Sequence, residues 1–473
     1  MSRELWRRGG TELAAMVADG AISAREVIDA HLDRIDEVNG WLNAVVRVDA
    51  EGARAAADTV DRARAAGEAL GPLAGVPFTV KDGLDLAGHP TTYGIPAFTD
   101  NVPLVDDPTI GRLRAAGAIP IAKTNQPEMA MRLATDNPLF GLTRNPWHPE
   151  RTPSGSSGGE ASAIASGMAP MGVGTDLGGS VRNPAYACGI ASTKASLGRL
   201  PVHGTSPRAG EALLGRQLMA VAGPMARTVR DLEAMLRTTI GRHSRDPRTV
   251  DVPFDGADFA RRVAVPTALP GGPVHPDALE AVRRTADALA ADGWEVIDVL
   301  PPEMERCYLL WGHLLGEDFP ITLAGLDGVM SEEGTHLMRS SIDFWPTGDI
   351  APQVVHAERL RLTREWALFF DLHPVLVLPT WYQPPFSHHD DLSSDPVAVR
   401  ALYDAVFTPI TPANLLGLPA TQVPVGCNAD GVPLGVQLLA DRHREDRTLA
   451  AAAIVEAAYP PITPIDPIDP IKN

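Results

Sequence analysis

The chain has 473 residues, 44% of them apolar and 21% charged, so it can bury a large core and is too apolar to be disordered throughout. Its 43 glycines and 43 prolines make up roughly 18% of the residues, which exceeds the usual ~12% but excludes a collagen-like or low-complexity chain. The formal net charge of −18 disfavours a surface that binds nucleic acid directly and favours a neutral or cationic substrate.

The first 70 residues are predicted to form a helical segment that packs on the core. Ser23-Ala24-Arg25-Glu26 has the form of a capping box and precedes apolar residues at helical spacing. A second, alanine-rich helix is predicted over 53–70 and should stop at Gly71-Pro72.

After residue 70 the pattern changes to short apolar runs separated by helical stretches. This alternation is typical of an α/β fold with a mostly buried sheet, and we expect residues 71–460 to form one such domain. The predicted strands are 76–80, 118–122, 171–175, 263–265, 294–300, 375–378, 421–425 and 434–439.

Two regions carry no catalytic pattern. Turn residues crowd between about 201 and 353, which we assign to a variable insertion that shapes the substrate pocket. The tail over 461–473 has a proline at every third place, which favours polyproline II and cannot build a core. A frayed terminus is the expected structure of this tail, and docking in an oligomer is the alternative.

Residues 151–182 concentrate serine and glycine as no other part of the chain does. A flexible linker is the simplest interpretation, but each glycine cluster adjoins a predicted helix or strand, which linkers rarely do. A phosphate-binding loop is the second interpretation. It is disfavoured because no Lys-[Ser/Thr] pair follows the glycines and Glu160 would lie close to the phosphate.

Acyl transfer is the third interpretation. Consecutive N–H groups before a glycine-flanked serine can point at a developing oxyanion, and Leu177-Gly178-Gly179-Ser180 has this form. A serine hydroxyl needs a base, yet none of the 13 histidines lies in this segment. The run His388-His389-Asp390-Asp391 is more typical of a solvated loop than of a triad or a metal site. A neutral lysine is the alternative base.

Four blocks of the sequence resemble the amidase signature family of serine hydrolases, namely 75–82, 123–125, 154–184 and 414–439. The central block is long and specific, and the middle of the chain is unmatched. The resemblance implies a single α/β domain with a mixed sheet enclosed by helices. It also implies an amidase that hydrolyses a carboxylic amide to an acid plus ammonia or an amine through an acyl-enzyme, with no metal or organic cofactor.

The same resemblance assigns the catalytic roles by position. It makes Ser180 the nucleophile, Ser156 the bridging cis-serine and Lys81 the base. The backbone N–H groups of Leu177, Gly178 and Gly179 would form the oxyanion hole. Ser157, Asp176 and Arg182 would support the site. Burial of Lys81 in an apolar interior would favour its neutral amine, which can take the proton that Ser156 relays from Ser180.

The substrate pocket is less clearly encoded. Large soft side chains suit an apolar acyl pocket, although core packing is the alternative for each candidate: Met129, Met131, Trp345, Trp381 and Tyr382. The chain reads Ser-Thr-Lys-Ala-Ser over 192–196 where family members usually read Gly-Leu-Lys-Pro-Thr. This departure keeps Lys194 and bears on the pocket shape rather than on the reaction class.

An alternative function is the A subunit of a tRNA-dependent amidotransferase, which deamidates glutamine within a complex, and a non-catalytic binding protein is a third. Three cysteines without a CxxC pair disfavour disulfides and structural zinc and favour the cytoplasm. No apolar signal region or run of about 18 apolar residues occurs, so we expect no membrane insertion. The expected partner is a small-molecule amide, and a homodimer is left open.

Overall fold

The computed structural model describes residues 2–203, 211–345 and 347–469. Eleven strands within these ranges form one sheet. In chain order they are β1 Val45–Val48, β2 Pro77–Lys81, β3 Ile119–Thr124, β4 Met171–Asp176, β5 Ala191–Lys194, β6 Val221–Ala226, β7 Arg262–Ala264, β8 Glu295–Ile297, β9 Val375–Pro379, β10 Ala420–Cys427 and β11 Pro433–Leu439. Their order across the sheet is β1-β3-β2-β4-β6-β5-β10-β11-β9-β7-β8.

Helices pack around this sheet, which makes the protein a single α/β domain, as predicted. The α-helices of the described ranges are α1 Gly10–Ala18, α2 Ala24–Leu42, α3 Ala50–Ala65, α4 Pro108–Ala115, α5 Gly158–Ala165, α6 Arg182–Cys188, α7 Leu214–Met219, α8 Val229–Thr239, α9 Pro276–Ala291, α10 Met304–Gly325, α11 Glu332–Phe344, α12 Pro352–Leu372, α13 Pro396–Leu416 and α14 Glu445–Ala458. None of these helices combines the length and apolar composition needed to cross a membrane.

The sheet is mixed, and its parallel part positions the candidate site. β2 lies between β3 and β4 and runs parallel to both, whereas β4 pairs with β6 in antiparallel register. Every residue of β2 is buried, because helices cover both faces of a parallel sheet. All eight predicted strands are present, since continuous apolar runs mark strands of this kind.

Three of the strands are not predicted from the sequence. β1 interrupts a segment predicted to be helical, and β5 is a short run of small and polar residues. β6 contains Gly223 and Pro224, which local preference excludes from a central strand, yet β6 pairs with both β4 and β5. It also belongs to the segment predicted as a variable insertion, so part of that segment contributes to the central sheet.

The N-terminal helices follow the sequence signals closely. The capping box at Ser23 is confirmed: the Glu26 N–H donates to Ser23 Oγ at 3.1 Å, and the Ser23 N–H donates to the Glu26 carboxylate at 2.8 Å. α3 ends at Ala65 rather than at Leu70, because Gly67 adopts φ 74° and leaves the helical conformation before Gly71-Pro72 is reached.

The prediction of a frayed C-terminus is wrong for the described part of the tail. The N–H groups of Ile465 and Ile468 donate to the carbonyls of Ala165 and Pro146, at 2.9 and 3.0 Å. Asp466 accepts a 2.7 Å hydrogen bond from the buried guanidinium of Arg34. Two backbone hydrogen bonds and one ion pair with Arg34 therefore hold the described part of the tail on the domain; residues 470–473 lie outside the described residues.

Candidate active site

Lys81 lies at the carboxyl end of β2, and its side chain is fully buried. Its Nζ lies 2.6 Å from Ser156 Oγ and donates to Thr175 Oγ1 at 3.0 Å. Thr175 belongs to β4, which runs parallel to β2, so the carboxyl ends of both strands meet at the same edge of the sheet. This edge brings the lysine to the serine-rich segment, which lies far from it in sequence.

Burial controls the charge of this lysine. Loss of hydration disfavours the ammonium form and lowers the pKa of Lys81 to about 7, although the Asp176 and Glu160 carboxylates oppose the change. The nearby Arg216 guanidinium lowers the pKa of Lys81 further. A large fraction of Lys81 is therefore an uncharged amine near neutral pH, and such an amine can accept a proton.

Glu160 is a second buried ionisable group near the lysine. Burial raises the pKa of Glu160 to about 7, while hydrogen bonds from the Thr124 and Thr79 hydroxyls oppose the change. Thr124 Oγ1 donates to one carboxyl oxygen at 2.5 Å and Thr79 Oγ1 to the other. These contacts tie the first turn of α5 to β2 and β3, and they hold the serine-rich segment against the sheet.

The serine-rich segment also contacts the loop that ends at Ser180. A cis peptide bond joins Gly155 to Ser156, and the Ser157 N–H donates to the Ser180 carbonyl at 3.2 Å. Gly174 in β4 permits this approach, since a Cβ there would lie 2.6 Å from Ser157 Oγ. The structure thus gathers Lys81, Ser156 and the Ser180 backbone in one place.

Side-chain donors hold the carbonyl groups of the loop between β4 and α6. Trp311 Nε1 donates to the Leu177 carbonyl at 2.8 Å, and Asn183 Nδ2 donates to the Gly178 carbonyl at 3.2 Å. A planar trans peptide points its N–H away from its carbonyl, so the Gly178 amide faces away from Trp311. Gly178 also makes room for the indole, because a Cβ there would lie 2.5 Å from Trp311 Cζ2.

The three predicted oxyanion-hole amides differ in this structure. The Gly179 N–H donates to Asp176 Oδ1 at 2.8 Å. The Leu177 and Gly178 N–H groups have no acceptor among the described residues. Two adjacent amides therefore lack an acceptor among the described residues, and the third braces the loop.

Asp176 and Arg182 form a fully buried ion pair beneath this loop, with Nη2 and Oδ1 3.1 Å apart. Burial alone would raise the pKa of Asp176, but the Arg182 guanidinium holds it well below its usual range. Asn414 Nδ2 donates to Asp176 Oδ1 at 2.8 Å, and Asn414 Oδ1 accepts from Arg182 at 2.6 Å. Asn414 lies in the last matched block, but sequence reasoning did not single it out.

A cavity opens beside Ser180, and the centres of water molecules can occupy about 80 Å³ of it. Its lining is mainly apolar and aromatic: Ala130, Met131, Arg132, Leu133, Leu177, Gly178, Ser180, Trp311, Leu315, Phe319, Ser341, Trp345, Tyr403 and Phe407.

Two of the five predicted pocket residues, Met131 and Trp345, line this cavity, and three do not. Met129 packs with Tyr93 and its neighbours. Trp381 is fully buried and donates to Asn183 Oδ1 at 2.8 Å, so it supports the residue that holds the Gly178 carbonyl. Tyr382 donates its hydroxyl to the Pro270 carbonyl at 2.9 Å.

The prediction of a solvated loop at 388–391 is wrong for Asp391. Asp391 is 3% exposed, and it accepts a 2.9 Å hydrogen bond from Arg132 Nε. Arg132 also donates to Glu333 at 3.0 Å. The guanidinium beside the cavity is therefore already neutralised by carboxylates, which explains the burial of Asp391.

The chain is similar to known proteins over nearly its whole length. A sequence model of the Amidase family matches residues 26–449. The chain is similar to the indoleacetamide hydrolase of Bradyrhizobium diazoefficiens, with 37% identity over 96% of the chain and 86% of the relative. It is also 34% identical to the A subunit of the glutamyl-tRNA(Gln) amidotransferase of Acidothermus cellulolyticus, over 96% of the chain and 95% of the relative. The structure of a bacterial aryl acylamidase matches with a TM-score of 0.82 and 27% identity, over 96% of each chain.

Proposed function

The chain belongs to the amidase signature family of amide-hydrolysing enzymes, and from this premise we propose that it hydrolyses amides of aromatic carboxylic acids through an acyl-enzyme on Ser180. The observation that carries the proposal is the buried hydrogen bond between Lys81 and Ser156 beside the loop that ends at Ser180. A buried neutral amine next to a hydroxyl is a proton acceptor that a serine nucleophile requires.

The reaction follows from this arrangement. Neutral Lys81 takes the Ser156 proton while Ser156 takes the proton of Ser180, whose Oγ attacks the amide carbon. The same two groups return the proton to the nitrogen, and the C–N bond breaks to release ammonia or an amine. Water then attacks the ester with Lys81 again as the base. This step releases the acid and regenerates the Ser180 hydroxyl.

The free amides of Leu177 and Gly178 would stabilise the oxyanion. Charge that develops on the substrate oxygen is stabilised best by donors already held in place, because no reorganisation is then needed. Trp311 provides this restraint for the Gly178 amide, since its indole N–H holds the carbonyl of the same peptide group. Trp311 is therefore a positioning residue in this proposal.

Replacing Trp311 with phenylalanine is expected to lower kcat about tenfold and to change KM little, because misplacing one oxyanion donor affects the transition state more than substrate binding. Steady-state kinetics on one amide checks this split. Trp366→Phe is the matched control, because the buried Trp366 Nε1 donates at 2.8 Å to the carbonyl of Pro302, outside this loop. Equal losses in both variants would contradict the positioning role.

The acyl group is proposed from the cavity lining. Trp311 and Phe407 lie with ring centroids 4.8 Å apart at the wall of the Ser180 cavity, and a flat aromatic group packs well against such rings. The name of one similar protein, an indoleacetamide hydrolase, supports the same substrate class.

The amidotransferase component is the alternative, and the cavity argues against it. Glutamine carries a charged amino-acid group that needs charged or polar partners in its binding site. Arg132, the one guanidinium of the described lining, is already paired with Asp391 and Glu333. An apolar acyl group is therefore the better fit. A homodimer and a cytoplasmic location remain predictions.

Ammonia release from a panel of primary amides tests the proposed function. We expect kcat/KM for indole-3-acetamide and phenylacetamide to exceed that for glutamine and acetamide at least tenfold, because only the aromatic acyl groups bury a ring against Trp311 and Phe407. Glutamine as the preferred substrate would favour the amidotransferase alternative. Hydrolysis of none of the panel by folded protein would contradict the proposal.

A further inference from the structure

A second and larger cavity lies behind the wall of the Ser180 cavity. Water centres can occupy about 640 Å³ of it, against about 80 Å³ beside Ser180. Tyr308, Leu309, Phe344 and Ile350 supply apolar surface to this second cavity, and charged side chains, among them Glu305, Arg306 and Asp404, line the rest of it. Trp345 lines both cavities and is only 8% exposed. A single side chain is therefore common to both walls.

Aromatic rings form the partition, and Tyr308 also stacks on Trp311 with centroids 6.5 Å apart. The Trp345 ring packs edge-on against Trp311, with centroids 5.6 Å apart, and against Tyr308, with centroids 5.1 Å apart. Trp311 faces the Ser180 cavity, whereas Tyr308 faces the second cavity. Removing the indole of Trp345 would leave no side chain in the place where these two rings now meet it.

α10 contains a groove that fits this tryptophan. A Cβ on Gly312 would lie 2.0 Å from Trp345 Cε3, and a Cβ on Gly316 would lie 2.5 Å from the Trp345 carbonyl oxygen. These glycines are one helical turn apart on the same face of α10. Glycine has a low helix propensity, yet it occupies two positions of α10, and Trp345 occupies the space that these glycines leave.

We propose that Trp345 ends the acyl pocket and sets the upper limit on acyl-chain length. This inference rests on the proposed function. With Trp345 in its groove, an acyl group attached to Ser180 stops at the indole. Without it, the two cavities join, and a long apolar acyl chain can extend between Tyr308 and Phe344 into the larger one.

Two amides that differ only in chain length, phenylacetamide and 6-phenylhexanamide, test the inference. In the wild type we expect kcat/KM to favour phenylacetamide at least tenfold. In Trp345→Ala we expect the ratio of the long to the short amide to rise tenfold or more. Gly312→Ala should raise the same ratio, because its Cβ displaces the indole. Gly325→Ala, on the same helix with nothing within 4 Å of its Cβ, should leave the ratio unchanged.

The outcomes separate the inference from the proposed function. Wild-type turnover of phenylacetamide tests the function alone. An unchanged ratio in folded Trp345→Ala and Gly312→Ala would overturn the inference, and so would a wild type that accepts both amides equally. Relative rates of Ser180 labelling by short-chain and long-chain alkyl fluorophosphonates report the same limit without amide turnover. Gly312→Ala carries the test if Trp345→Ala does not fold.

Discussion

Ser180→Ala is expected to lower kcat/KM for an aromatic amide by about 10⁴-fold or more, because no acyl-enzyme can form without the hydroxyl. The residual rate would come from binding and from the Leu177 and Gly178 amides. Ammonia release under matched conditions measures the loss. Since Ser180 is only partly buried and lines a cavity, the variant should fold like the wild type.

Labelling separates Ser180 from the other serines of the segment. A fluorophosphonate should add one phosphonyl group to Ser180, and peptide mass mapping would locate it. Ser162→Ala is the matched control, because the Ser162 hydroxyl donates to the Arg144 carbonyl at 2.9 Å and has no part in the proposed reaction. A label on Ser156 or Ser157, or full activity in Ser180→Ala, would refute the nucleophile assignment.

Lys81→Met is expected to be as damaging as Ser180→Ala, because it removes the base and leaves a side chain of similar length. In the wild type, log kcat/KM should rise with pH and level off near the Lys81 pKa of about 7. The direction follows from the role of the lysine: the ammonium form that dominates below this pH has no lone pair for the Ser156 proton. A profile over pH 5 to 9 would reveal the rise.

A second lysine provides the control for this profile. Burial also lowers the pKa of Lys194 to about 7, but its Nζ donates to the Ala195 and Leu418 carbonyls. Lys194→Met should therefore keep both the activity and the rise of log kcat/KM with pH, provided that circular dichroism shows a folded protein. If this rise were lost in Lys194→Met and retained in Lys81→Met, Lys194 rather than Lys81 would be the base.

The prediction of the site depended on how local its signals are. Lys81, Ser156 and Ser180 each lie in a short motif of the resemblance, so their positions could be named without knowledge of the fold. Trp311 and Phe407 lie outside such motifs, and in sequence they look like Trp366, which is a core residue. Trp381 is the reverse case: the sequence leaves both pocket and core open for it, and the structure places it in the core, where it donates to Asn183.

By itself, the sequence determined the α/β class, eight of the strands, the capping box of α2 and the family, because apolar periodicity and short motifs are local properties. Only the tertiary structure decided that β6 enters the central sheet, that Trp311 holds the Leu177 carbonyl and that Trp345 separates two cavities. These features depend on which distant elements meet. An apolar side chain carries no local signal of the neighbour against which it will pack.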